Sequence, residues 1–214
     1  MADTIGCDRL ARMLRGAAAQ INTQHEMLSR LDAATGDGDH GTTMRRAMTK
    51  LEEALAATQA AAVGGVLNEV GWAILGVDGG ATGPLLGTFF MGMAEAAGEA
   101  DALDTPALAA AFEGALAALR QQTKAQVGDK TMIDALVPAV EALRAGADAG
   151  DSPAASMARA AEAARRGAEG TKDLQARFGR ARNLGERSIG SADPGATSIG
   201  LIFRGFADAL ASEG

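Results

Sequence analysis

Thr105-Pro106-Ala107-Leu108-Ala109-Ala110-Ala111-Phe112-Glu113-Gly114-Ala115-Leu116-Ala117-Ala118-Leu119-Arg120-Gln121-Gln122 decides the fold class. Alanine loses no side-chain entropy in a helix and leucine loses little, so a run this rich in both favours an α-helix over a strand. Its start is marked as well: Thr105, a hydroxyl residue able to cap free amides, stands before a proline at the first helical position. Ser152-Pro153 repeats that signal ahead of a second Ala-rich tract. Outward from these two points, apolar periodicity and start signals predict helices over 5–19, 22–34, 41–59, 62–76, 83–99, 106–122, 131–147, 153–173 and 195–212. No strand pattern competes with them. The expected architecture is all-α, an antiparallel bundle or closed helical barrel, because helices joined by short turns pack against their neighbours in sequence.

The chain has 214 residues with 47% hydrophobic content, enough for one sizeable core, so a single domain over 1–214 is expected. Aromatic residues make up only 3% and there is no tyrosine. A net charge of -7 argues against a nucleic-acid partner, which requires a clustered basic surface. Asp3, Asp8, Arg9, Arg12 and Arg15 break up the first twenty residues and leave no apolar core of a signal peptide. The uncharged run Gly79–Ala94 is sixteen residues long and interrupted by glycines and Pro84, too short and broken to span a bilayer. Cys7, the one cysteine, has no internal disulfide partner and reads as a neutral thiol. The expected location is the cytoplasm, with no membrane partner.

The chemistry-bearing residues concentrate in the connections, where a rigid scaffold usually displays functional groups. Four clusters stand out: Asp32 to Thr43, Asp78 to Pro84, Gly128 to Met132, and the long polar tract Gly179 to Ser198. The first places Asp32, Asp37 and Asp39 among Gly36, Gly38 and Gly41 within twelve residues. Three carboxylates in one tight turn repel one another unless a divalent cation compensates their charge. Helix capping explains single aspartates well and three together poorly. An EF-hand counted from Asp37 fails at its twelfth position, which is Met48 rather than glutamate. The spacing Gly36-x-Gly38-x-x-Gly41 also satisfies the dinucleotide fingerprint, but it follows a helix pattern and lies in no βαβ unit. His40 is open between a structural hydrogen bond and a site role, whereas His25, inside a predicted helix, reads as surface or packing.

Gly79, Gly83 and Gly87 lie four apart and admit two readings, close helix approach or anion binding by exposed amides at a helix start. Gly41-Thr42-Thr43 offers a second such start. With Arg180, Arg182 and Arg187 these features suit a polyphosphate carrying magnesium, and without a Walker A sequence the chain is not a P-loop protein.

Taken in order, Gly36-Asp37-Gly38-Asp39-His40-Gly41, Gly79-Gly80-Ala81-Thr82-Gly83-Pro84, Gly128-Asp129-Lys130-Thr131-Met132, Leu184-Gly185-Glu186-Arg187-Ser188-Ile189-Gly190 and Asp193-Pro194-Gly195-Ala196-Thr197-Ser198 resemble the motifs of the ADP-binding L subunits of dihydroxyacetone kinases, across nearly the whole chain. The resemblance implies a barrel of eight antiparallel helices with a nucleotide, ADP or ATP, at one end. It implies two Mg2+ ions held by Asp32, Asp37 and Asp39. The family's nucleotide contacts fall on His40, Gly41, Thr42, Thr43, Ala81, Thr82, Met132, Arg180, Asp193, Pro194 and Gly195, with the last loop covering the nucleotide. Arg182-Asn183 and Thr123 depart from the family pattern.

The activity implied is that of a phosphotransferase subunit of a dihydroxyacetone or related ketose kinase, in which a separate K subunit binds the triose. The triose-binding groups are then expected on that partner, and no catalytic residue is assigned here. One family branch keeps ADP bound and has it rephosphorylated by a phosphotransferase-system M subunit; the other uses ATP as an exchangeable substrate. A homodimer is left open. The competing reading is a metal- and nucleotide-sensing helical module without transfer activity.

Overall fold

A computed structural model describes residues 3–212. It contains eight α-helices among the described residues: α1 (Cys7–Ala33), α2 (His40–Ala57), α3 (Val63–Leu75), α4 (Thr82–Ala97), α5 (Thr105–Gln122), α6 (Ile133–Asp148), α7 (Pro153–Gly170) and α8 (Pro194–Ala211). Short 3-10 helices at Thr171–Asp173 and Arg180–Ser188 lie between α7 and α8. Each helix packs on the next, and α8 returns onto α1, closing the ring. The all-α expectation holds, with one small addition. Ile5–Gly6 (β1) and Ala102–Leu103 (β2) form an antiparallel ladder two residues long, too short for sequence alternation to reveal.

Most predicted helix ends shift by one to three residues, and two differences have a clear physical cause. The predicted helices at 5–19 and 22–34 are one continuous α1. The polar residues that suggest a break are accommodated: Gln20 Nε2 donates to Asp208 on α8, Thr23 Oγ1 donates to the Ala19 carbonyl, and Ile21 between them is fully buried. At α5 the capping side chain is Asp104, which accepts from Ala107 N at 2.9 Å, and Thr105 is already helical. Thr105 Oγ1 donates instead to the Asp151 carbonyl, pinning α5 to the turn before α7. At α7, Ser152 caps as read, accepting from Ala155 N.

Small residues set the helix spacing. A Cβ on Gly16 of α1 would sit 2.4 Å from the Gly205 carbonyl oxygen of α8, so this seam closes only because both positions are glycine. The interior is filled by Phe89 and Phe90 of α4, Phe112 of α5, and Phe203 and Phe206 of α8, whose paired ring centroids lie 5.1 to 6.0 Å apart. Five of the chain's six phenylalanines are thus spent on one cluster, and the sixth, Phe178, lies at the cavity described below. Cys7 donates to the Ala61 carbonyl at 3.3 Å, and burial followed by the Asp8 charge pushes its thiol up, so it is protonated at neutral pH. No helix among the described residues is long and apolar enough to cross a membrane.

Candidate functional site

An antiparallel ring places alternate helix starts at the same end. His40, Thr82, Ile133 and Pro194, the first residues of α2, α4, α6 and α8, all line one cavity of about 450 Å³. The same wall takes Asp32 from the end of α1 and Gln122 from the end of α5. Four helix N-termini aimed at one space give it a positive potential suited to phosphate oxygens. The residues preceding α2, α4 and α6, Asp39, Ala81 and Met132, make no capping bond with their own side chains, whereas Asp193 caps α8 through Ala196 N at 2.7 Å. Below the polar mouth the cavity is apolar, with Met44, Leu86, Ile133, Ile199 and Ile202 among its lining.

At the rim, one carboxylate oxygen each from Asp32, Asp37 and Asp39 falls within a 4.8 Å cluster. The turn is drawn tight by its own backbone: Asp32 O accepts from Thr35 N and Gly36 N, and Asp32 Oδ2 accepts from His40 N at 3.1 Å. Gly38, at φ +80°, turns the chain so that Asp37 and Asp39 face back toward Asp32. Arg180 reaches across from the α7–α8 connection and forms an ion pair with Asp37. Three hard oxygen donors this close suit a divalent cation such as magnesium, and a single guanidinium neutralises only part of their charge.

His40 joins three helix starts. Its Nε2 lies 2.8 Å from Ser198 Oγ on α8 and its Nδ1 3.3 Å from Thr82 Oγ1 on α4. Burial pushes the ring's pKa down, against the opposing pull of Asp32 and Asp39, so His40 is neutral at pH 7 and offers one donor and one acceptor to the two hydroxyls. Burial likewise pushes the Asp193 carboxyl up to about 7, against the Ala196 amide and the Lys130 ammonium, which favour its charged form.

The structure sorts the sequence candidates. Asp32, Asp39, His40, Ala81, Thr82, Met132, Arg180, Asp193, Pro194 and Gly195 line the cavity. Gly41 instead abuts α1, where an added Cβ would lie 1.8 Å from the His25 carbonyl oxygen; Thr42 is exposed on the first turn of α2, and Thr43 is buried beneath Gly79. The two readings of the second cluster divide by position. Gly83 and Gly87 press against α3 backbone and its following residue Val77, while Gly79 and Gly80, at φ +135° and +59°, form the cavity loop. Of the two departures, Thr123 lines the cavity, and Arg182-Asn183 lie in the 3-10 stretch beyond it.

The DAK2 domain family matches residues 34–208 of this chain. The PEP-dependent dihydroxyacetone kinase, ADP-binding subunit DhaL, of Escherichia coli (strain K12) is 41% identical over 179 residues, covering 84% of this chain and 85% of that one. The chain belongs to the DhaL family. Some relatives are much longer. D-erythrulose kinase of Mycolicibacterium smegmatis (strain ATCC 700084 / mc(2)155) is 36% identical over 96% of this chain and 36% of its own length. The crystal structure of the dihydroxyacetone kinase from C. freundii in complex with AMP-PNP and Mg2+ superposes with a TM-score of 0.70 at 26% identity, over 97% of this chain and 35% of that one. This chain spans about a third of these two proteins.

Within this DhaL-family site, several residues escape sequence reasoning. Ser198 lies one turn past Pro194 on the cavity face of α8, a signal available from helical spacing alone, yet its partner His40 is 158 residues away. Asp134 accepts from Gly128 N at 2.6 Å and Thr131 N at 2.7 Å, and so shapes the Gly128–Met132 loop from inside α6. Lys130 is only 2% exposed, although its sequence context is polar. No sequence signal marks that burial, because its hydrogen-bond partners are backbone carbonyls.

Proposed function

We propose that this chain is the nucleotide-carrying phosphotransferase subunit of a dihydroxyacetone or related ketose kinase, holding ADP or ATP with two magnesium ions and delivering the phosphoryl group to a triose on a separate K subunit. The observation that carries this reading is the carboxylate cluster of Asp32, Asp37 and Asp39 at the rim of a cavity where four helix N-termini converge. The kinship with an ADP-binding DhaL subunit and the likeness to an AMP-PNP and Mg2+ complex support it.

Asp32, Asp37 and Asp39 would hold the magnesium, which when bound would supply positive charge to neutralise phosphate oxygens. The starts of α2, α4 and α8 present their positive ends to the same anion, and the apolar floor accepts the base and excludes water. Neutral His40 fixes the hydroxyls of Thr82 and Ser198 without adding a charge that would compete for the phosphates. Phosphoryl transfer asks for positioning and charge neutralisation more than covalent help. On this reading the chain works in the cytoplasm beside the K subunit, and beside an M subunit where ADP is retained and rephosphorylated.

Phosphoryl transfer to dihydroxyacetone and to four-carbon ketoses, measured with the K subunit and either ATP or phosphorylated M subunit, tests the reading directly. Transfer with one donor identifies the branch; nucleotide binding with no transfer under any pairing supports the sensing module instead. For Asp37→Ala we expect magnesium-dependent nucleotide affinity by calorimetry to fall by roughly 100-fold, the scale seen when a metal site loses support, while the helical signal is unchanged. Unaltered affinity would remove Asp37 from the site.

A further inference from the structure

We infer that Lys130 is a positioning residue whose ammonium staples together the two ends of the segment 171–193 and thereby holds Phe178, Gly179, Arg180 and Ala181 in the cavity wall. Lys130 Nζ donates to the carbonyl of Thr171, where α7 gives out, and to that of Ser191, just before α8 begins. Those carbonyls are twenty residues apart in sequence, and everything between them projects as one loop bearing the cavity-lining residues. The base of the loop is closed by two further bonds, Gly190 N to Lys172 O and Asp193 N to Thr171 Oγ1, both 2.8 Å. The neighbour Asp129 holds the loop from the same side: its carbonyl accepts from Arg177 N at 3.1 Å and its carboxylate from the Arg177 guanidinium at 3.4 Å.

A second observation points the same way. Lys130 has φ +61°, the one positive φ on a residue other than glycine among the described residues. A lysine persists in the left-handed region only where its surroundings over-determine it, and such positions cluster where a conformation is functionally required. The staple needs a side chain long enough to reach both carbonyls from the Gly128–Met132 loop and rich in donors without an acceptor, which describes an ammonium. Burial pushes the ammonium's pKa down, against the opposing pull of Asp193, Asp134 and Asp173. Between its ends the segment is largely exposed and kinked at Gly185; Ala176 N donates to the buried Ser188 Oγ at 2.9 Å, Phe178 packs against the core and Arg180 pairs with Asp37, while the Lys130 bonds join the two ends to each other.

The functional consequence rests on the nucleotide reading above; the staple itself does not. Lys130→Met keeps the stem and removes the donors. In limited trypsin digestion of the nucleotide-free chain, cleavage at Arg177, Arg180, Arg182 and Arg187 should accelerate at least tenfold while the thermal midpoint of the helical signal stays within a few degrees. Nucleotide dissociation should accelerate by a similar factor, raising KM with kcat within twofold. Lys130→Gly, which relieves the left-handed backbone but lacks the ammonium, should behave like Lys130→Met, and Lys130→Gln, whose amide can donate to one carbonyl, should fall between them and the parent. Cleavage within twofold of the parent, or a Lys130→Gly chain indistinguishable from it, overturns the staple. If Lys130→Met does not fold, hydrogen exchange of the parent decides: the Gly190 and Asp193 amides should exchange together in one opening event, and independent exchange counts against the proposal. A parent chain that binds no nucleotide sinks the proposed function, while the digestion still decides the staple.

Discussion

A Cβ on Gly41, in the wall between α1 and α2, would lie 1.8 Å from the His25 carbonyl oxygen; a Cβ on Gly80, at the mouth, would meet nothing within 4 Å. Gly80 is glycine because its φ is +59°, Gly41 because two helix backbones nearly touch. In the wall, glycine sets the distance between elements, and in the mouth it sets the direction of the chain. The same contrast runs through the other residues. The wall is closed by apolar contact, with five phenylalanines at its centre. The mouth is held by side chains that bond to backbone: Asp32 on His40 N, Asp134 on two loop amides, Lys130 on two carbonyls. A barrel of this kind can change its loops without moving its helices, since the two regions are stabilised by different forces.

The largest effect expected from breaking this division is at Gly41. Gly41→Ala forces α1 and α2 apart against a backbone carbonyl that cannot rotate away, and overpacking of this kind costs about 3 kcal/mol. Gly80→Ala has space and suffers only left-handed strain, about 1 kcal/mol. Urea unfolding of the two variants measures the gap. Equal costs would erase the distinction between wall and mouth, and loss of nucleotide affinity in a fully stable Gly41→Ala chain would return Gly41 to the phosphate site implied by the family resemblance.

A smaller effect is expected at Asp193, the cap of α8 in the mouth. Unfolded, this carboxyl titrates near 3.8; folded, burial raises it to about 7. Between those values the native state keeps a proton that the unfolded chain has released, so the stability this protonation contributes is fully present below pH 4 and is lost as pH rises through 7. Asp193→Asn keeps an acceptor for the Ala196 amide and cannot titrate. From pH 5 to 7 the parent's unfolding free energy should fall relative to Asp193→Asn by up to about 1.4 kcal/mol per pH unit, one proton's worth. Parallel stability curves would show that the Lys130 ammonium and the helix amides keep Asp193 ionised throughout.

The wall and the mouth were also unequally legible in the sequence. Helices emerged from local propensity, as at Thr105–Gln122, but the choice of Asp104 over Thr105 as cap depends on which residue leaves the helical backbone first, and Thr105 was drawn off by the distant Asp151 carbonyl. Ring closure had no local signal, since Gly16 and Gly205 look like any other small residues in an Ala-rich chain until α1 and α8 meet. The clustering of Asp32, Asp37 and Asp39 was readable because eight residues of one turn contain it. His40 and Ser198 are 158 residues apart, and their contact exists only after the barrel closes. Lys130 was visible as part of a motif, but a lysine bonded to backbone carbonyls leaves no partner residue in the sequence to find.

The smallest effect expected is on the outer surface, at the seam of α5 and α6. Arg144 Nε and Nη2 reach the two carboxylate oxygens of Glu113 at 2.8 and 2.7 Å, a bidentate pair whose guanidinium holds the Glu113 carboxyl below its ordinary range. Here two wall helices are joined by a side-chain ion pair. The side chains are 34% and 44% exposed, so water screens the attraction and a double-mutant cycle with Arg144→Ala and Glu113→Ala should return a coupling of only about 0.5 kcal/mol. Because the carboxyl is depressed, that coupling should be present at neutral pH and vanish as pH falls below the carboxylate range, and it should shrink in 1 M salt. A coupling of 2 kcal/mol or more that resists salt would mean that polar bonds hold the wall as they hold the mouth, and that α5 and α6 depend on this pair rather than on Phe112 and the packed interior behind it.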